Sequence, residues 1–241
     1  TEPLANYNIV VLDQALKNRS SITFTNTNVI RNGSARDANV TGVDLALFDK
    51  KNVHVLRSRF RYSQVWDATD KRGWTGNLKF SKISGLWQYD WTANVESKNY
   101  DPNDLGFLLA PNEMNFFATL AYREQRPTKR FNTFSYSINP RLMYLYNPRR
   151  FVSADASATA FWWFKNFWDA SVTVGAVPGW TNDFFELRTP GRSLRLPPNY
   201  FIELEGSSDS RKKLYWRYNI VWANAKRFDN TYSMIGTGLR Y

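Results

Sequence analysis

Apolar and polar side chains alternate one for one along most of this chain. In Trp87-Gln88-Tyr89-Asp90-Trp91-Thr92-Ala93-Asn94-Val95 the odd positions are apolar and the even ones polar. That is the period of a β-strand, whose successive side chains point to opposite faces. The same pattern predicts thirteen strands, at 7–16, 20–29, 39–48, 53–66, 73–83, 86–96, 113–123, 131–146, 151–164, 167–177, 199–206, 214–223 and 231–241. The connections alternate in length. Lys17 to Arg19, Asp49 to Asn52, Ser84-Gly85 and Lys165-Asn166 are short and polar, whereas Arg31 to Ala38, Asp67 to Arg72, Ser97 to Asn112 and Pro178 to Pro198 are longer. Asn147 to Arg150 is a short turn on the long-loop side.

The alternation assigns faces. Val43, Leu45, Leu47, Leu56, Phe60, Tyr62, Trp74, Leu78 and Phe80 share one side, as do Phe116, Leu120, Tyr122, Phe134, Tyr136, Ile138, Val172, Val174, Trp216, Ile220 and Trp222. The other side carries Arg57, Arg59, Arg61, Lys79, Asp90, Arg123, Asp155, Asp169, Glu203, Glu205 and Arg217. A sheet with an aromatic face in every strand and a charged opposite face reads as a transmembrane barrel, with lipid outside and a polar lumen inside. The predicted fold is therefore all-β, an antiparallel up-and-down transmembrane β-barrel forming one domain over 1–241. An odd strand count does not close a bacterial single-chain barrel, so either the true count is even, about 12 or 14, or the segment is part of a larger barrel. Ala154, Ala156, Ala158 and Ala160 leave one strand thin on a single face. That suits either a plain stretch of lipid face or close packing against a partner.

Composition agrees with this reading. The chain has 10 Trp, 13 Tyr and 17 Phe among 241 residues, enough for aromatic girdles at both membrane interfaces. Its mean hydropathy of −0.52 leaves no run of the roughly 18 apolar residues that a membrane helix needs. A net charge of +11 suits anionic lipid or another polyanion. The basic residues are spread over turns and lumen positions, so no nucleic-acid partner is expected. Cysteine is absent, which removes disulfides and thiolate metal sites. Thr1-Glu2-Pro3-Leu4-Ala5-Asn6 shows no secretory leader, as expected of a mature form or a fragment.

Three segments carry a family resemblance: Asn99-Tyr100-Asp101-Pro102-Asn103-Asp104-Leu105-Gly106-Phe107; Asp183 to Arg192 continuing through Arg195-Leu196-Pro197-Pro198; and Ser208-Asp209-Ser210-Arg211-Lys212-Lys213. With the opening Ala5-Asn6-Tyr7-Asn8 strand, the chain resembles the C-terminal outer-membrane β-barrel of a Bacteroidota family of unknown function. Members of that family carry an N-terminal module similar to family 9 carbohydrate-binding modules. The resemblance covers essentially the whole chain. It implies a location in the cell outer membrane and a barrel architecture, with no established reaction.

Candidate chemistry is sparse. His54, the sole histidine, begins a strand beside a short turn, away from the rim where outer-membrane hydrolases place theirs. Glu203 and Glu205 lie two residues apart on one face, about 7 Å between Cα atoms, a spacing that suits a glycosidase pair. They are better read as lumen carboxylates that neutralise arginines on neighbouring strands. Asp101, Asn103 and Asp104 offer oxygen ligands for Ca²⁺, or an Asx-stabilised turn around Pro102. Arg188, Arg192 and Arg195, with Phe184 and Phe185, form either an anion or sugar platform or a plug folded into the lumen. No cofactor is expected. The functional expectation is a non-enzymatic outer-membrane barrel acting as an anchor or accessory subunit of an envelope complex. Its partners would be lipid, lipopolysaccharide, other envelope proteins and glycans. A solute pore and an envelope-modifying enzyme are the alternatives.

Overall fold

In the computed structural model, the described residues are 3–187, 189, 191–225 and 230–241. They form β1 (Ala5–Ala15), β2 (Ser21–Arg31), β3 (Asp37–Phe48), β4 (His54–Trp66), β5 (Lys71–Lys82), β6 (Trp87–Glu96), β7 (Glu113–Glu124) and β8 (Phe131–Leu145). These are followed by β9 (Arg150–Phe164), β10 (Asp169–Val177), β11 (Thr181–Asp183), β12 (Leu194–Leu196), β13 (Asn199–Ser207), β14 (Tyr215–Ala225) and β15 (Asn230–Arg240). None of the described residues is helical. Thirteen strands make one sheet in chain order, β1 to β10 and then β13 to β15, while β11 and β12 pair only with each other. The fold is therefore all-β, antiparallel and up-and-down. Its strand order is linear, with β1 and β15 as the two end strands.

The thirteen strands coincide with those the alternation predicts, to within about two residues at each end. One expectation needs correction. The stretch 178–198, read as an irregular loop, contains the β11–β12 hairpin, with Asn182 opposite Arg195. Two three-residue strands are too short for a two-residue period to register.

The chain divides into two compact units. The first gathers described residues within Thr1–Ile83, Asp90–Phe116 and Met143–Phe151; the second gathers those within Ser84–Tyr89, Phe117–Leu142 and Val152–Tyr241. In the first unit the register sets Val43 opposite Phe60, Leu56 opposite Phe80 and Tyr62 opposite Trp74. These apolar pairs lie on one face, and Asp44 opposite Arg59 lies on the other. In the second unit, Val172 pairs with Ala160 and Leu204, and Leu204 with Ile220. Thus the alanine strand falls on the apolar face. Tight turns close the hairpins. Asn18 and Arg19 both take positive φ, 56° and 62°, the geometry that matches the twist of a two-strand hairpin, and Gly85 at φ 86° turns β5 into β6.

Burial is unusual for a chain of this size. Among the described residues, the buried apolar side chains are Val29, Ala38, Val55, Val65, Tyr100, Ala121, Leu145 and Val152. Val29, Ala38 and Val65 form a small cluster against which Ala5 and Leu105 pack. Meanwhile Phe60, Leu78, Trp91, Leu120, Ile138, Val174, Ile220 and Trp222 are all exposed. Among the described residues, neither unit buries most of its apolar face.

Candidate functional site

The polar face of the first unit is organised around a cavity of about 590 Å³. Its wall is β4, where alternation brings Arg57, Arg59 and Arg61 to one side at every second position. Asp44 on β3 accepts from Arg59 Nε at 2.9 Å and also pairs with Arg61. Gly42 makes room for Arg61, because a Cβ there would lie 2.3 Å from Arg61 Cδ. On β5, Lys79 stands opposite Arg57 and reaches Asp90 on β6 at 3.2 Å. The predicted lumen residues Arg57, Arg59, Arg61 and Asp90 therefore come together at one site.

The cavity has a roof that the sequence did not reveal. The segment after β6 folds over the polar face, and Tyr100, Pro102, Phe107 and Leu108 line the cavity from above. Three anchors hold it. Ser97 Oγ accepts from the amide of Trp74 at 2.7 Å, and Ser63 Oγ accepts from the amide of Asp101 at 3.0 Å. Gly73 allows the backbone of Tyr100 to lie directly on β5. The third anchor is Asp104, whose carboxylate meets Arg31 Nη2 at 3.0 Å and Arg36 Nη2 at 2.8 Å. Tyr100 is buried beneath this roof, and burial pushes its phenol above the usual value.

This geometry also shows what Asp101, Asn103 and Asp104 do. Asp101 Oδ1 accepts from the amide and side chain of Asn103 at 3.1 and 3.0 Å, and Asn103 Oδ1 accepts from the amide of Leu108 at 2.7 Å. These are Asx-type turn bonds. Asp104 faces two guanidinium groups, whose charge opposes a cation. Among the described residues, no cluster of three His, Cys, Asp or Glu side chains has metal-binding geometry.

The other candidates are not among the residues that line this cavity. Glu203 accepts from Asn219 Nδ2 at 2.6 Å. No described residue forms an ion pair with Glu203 or Glu205, contrary to expectation, because the register sets Arg217 opposite Ser207. Both glutamates are on the polar face of the second unit, and Glu205 lines a separate cavity with Asp169, Ser171 and Arg217. In the β11–β12 hairpin, Asp183 Oδ1 accepts from the amides of Phe185 and Glu186, and the Arg195 guanidinium sits 4.5 Å from the centre of the Trp180 ring. Phe184 is half-buried, while Phe185 and Arg192 are exposed. Arg188 lies outside the described residues. His54 Nδ1 is 3.3 Å from Asp49 Oδ2, and its ring stacks on Phe80. Burial opposes ionisation of Asp49, but bonds from the amides of His54 and Val53 hold its carboxyl below the usual value.

Sequence reasoning missed Asp44, Arg31, Arg36, Tyr100 and Phe107. Asp44 was readable from parity, since it alternates with Val43 and Leu45. The rest depend on contacts far apart in the chain, such as the one between Arg31 and Asp104. No curated protein and no solved structure matches the chain. Residues 1–241, its full length, match the family model described as Domain of unknown function (DUF5916), and the protein belongs to that family.

Proposed function

We propose that this chain is a membrane-embedded segment of an outer-membrane β-barrel that serves, without catalysing a reaction, as an anchor or accessory subunit of a larger envelope complex. The observation that carries this reading is the exposure of the apolar parity in strand after strand, with the ion pairs confined to the opposite parity. In water such faces aggregate, whereas lipid is a good solvent for them. The end strands add support. β1 is exposed along almost its whole length and carries no Lys, Arg, Pro or Gly to discourage pairing. Long unblunted edges are an aggregation hazard that barrel closure removes. Lipid and lipopolysaccharide would contact the outer face, and envelope proteins or glycans would meet the loops.

The anchored roof over the first unit favours a scaffold over an open pore. Purification of the native protein in mild detergent, followed by mass spectrometry of co-purifying chains, tests the reading. Stoichiometric envelope proteins are the expected result. A solitary protein that conducts ions in planar bilayers would replace the subunit reading with the pore reading.

A further inference from the structure

The cavity of the first unit has an electrostatic imbalance at one end. Arg57 and Lys79 are directly opposed across β4 and β5, a like-charge pairing that is destabilising by itself. Asp90 answers Lys79. Among the described residues, no carboxylate lies within ion-pair distance of Arg57. Its guanidinium instead rests 5.6 Å from the centre of the Phe48 ring, and the Arg19 guanidinium is 5.4 Å from that same centre. Arg19 also has no carboxylate partner among the described residues. Glu96, the other acid in the cavity, lies toward the opposite end beside Tyr100.

We infer that this end of the cavity binds the phosphoryl group of a phosphorylated small molecule, with Arg57 of the cavity wall and Arg19, which meets the same Phe48 ring from outside the lining, as its ligands and Lys79 alongside. Two guanidinium groups without acidic partners among the described residues leave two positive charges free to engage a dianionic ligand. A phosphomonoester carries about −1.5 to −2 at neutral pH, whereas a carboxylate or sulfate ester carries about −1. Guanidinium groups match phosphate oxygens geometrically as well as electrostatically. The 590 Å³ volume leaves space for a body attached to the phosphate, bounded by Tyr100 and Phe107. The site belongs to the first unit and does not depend on the membrane reading.

Titration of the full chain in an uncharged detergent with 4-methylumbelliferyl phosphate tests the inference, with the matching sulfate ester as the monoanionic control. Saturable binding of the phosphate ester is expected, at least tenfold tighter than the sulfate. Arg57→Gln and Arg19→Gln should each weaken it about tenfold or more. Both residues are exposed, so neither change should unfold the chain. Arg192→Gln, between β11 and β12 and not among the residues lining the cavity, should leave it unchanged. Competition by glycerol 3-phosphate marks a soluble ligand, and competition only by phosphatidic acid marks a lipid headgroup; either upholds a phosphoryl site. Absence of saturable binding, equal affinity for the sulfate, or indifference to Arg57→Gln overturns it.

Discussion

A methyl group at Gly73 would lie 2.2 Å from the backbone nitrogen of Tyr100, an approach no side chain can make. Only hydrogen fits there, and the roof of the cavity depends on it. Gly73→Ala should unseat the Tyr100 segment, expose the buried Val29–Ala38–Val65 cluster and cost about 1–3 kcal/mol by overpacking. Urea denaturation in detergent, with proteolysis of the 97–112 segment as the local readout, measures both effects. In the second unit, the Arg211 guanidinium donates two bonds of 2.8 Å to the carboxylate of Asp209, which holds that carboxyl at about 2. Because the folded value is depressed, this contribution is complete above the unfolded carboxylate value near 4. It is lost as pH falls from there through about 2. The stability difference between the wild type and Asp209→Asn should therefore shrink as the pH of a thermal melt is lowered from 6 to 2. A difference that stays constant would show that the pair carries no such linkage.

Among the elements, the strands were legible because their only requirement is parity. The shared face of Phe60 and Val43, and of Ile220 and Leu204, follows from a period of two, and the short turns then fix which residues pair. The roof was not legible. Asp104 looks like one more turn acid in sequence, and its two arginines precede it by 68 and 73 positions. The hairpin was hidden for a different reason, since its strands are shorter than the period needs to declare itself. Strand parity also carries a stability expectation. Ile220→Arg places a charge on the apolar face and should cost about 2–4 kcal/mol if that face meets hydrocarbon at mid-depth. Asn219→Arg, one residue away on the polar face, should cost far less. Equal costs, read from denaturation in lipid vesicles, would contradict the assignment of faces.

For the whole molecule, the question is which solvent each face meets. Eight buried apolar side chains among the described residues are few for 241 residues, since burial of apolar surface supplies most of the stability of a water-soluble domain. Under the membrane reading proposed above, hydrocarbon on the apolar side takes the place of a core. On the polar side, Asp44 pairs with Arg59 and Arg61, Lys79 with Asp90, and Arg141 with Asp155. These 241 residues contain no cysteine, so single cysteines can be introduced into them without background. Spin labels placed in turn at each position from Trp216 to Trp222 on β14, in lipid vesicles, test the solvent of each face most directly. Even positions should be accessible to oxygen and odd positions to a water-soluble nickel reagent, alternating with a period of two. Uniform accessibility to the nickel reagent along the strand would contradict the membrane reading.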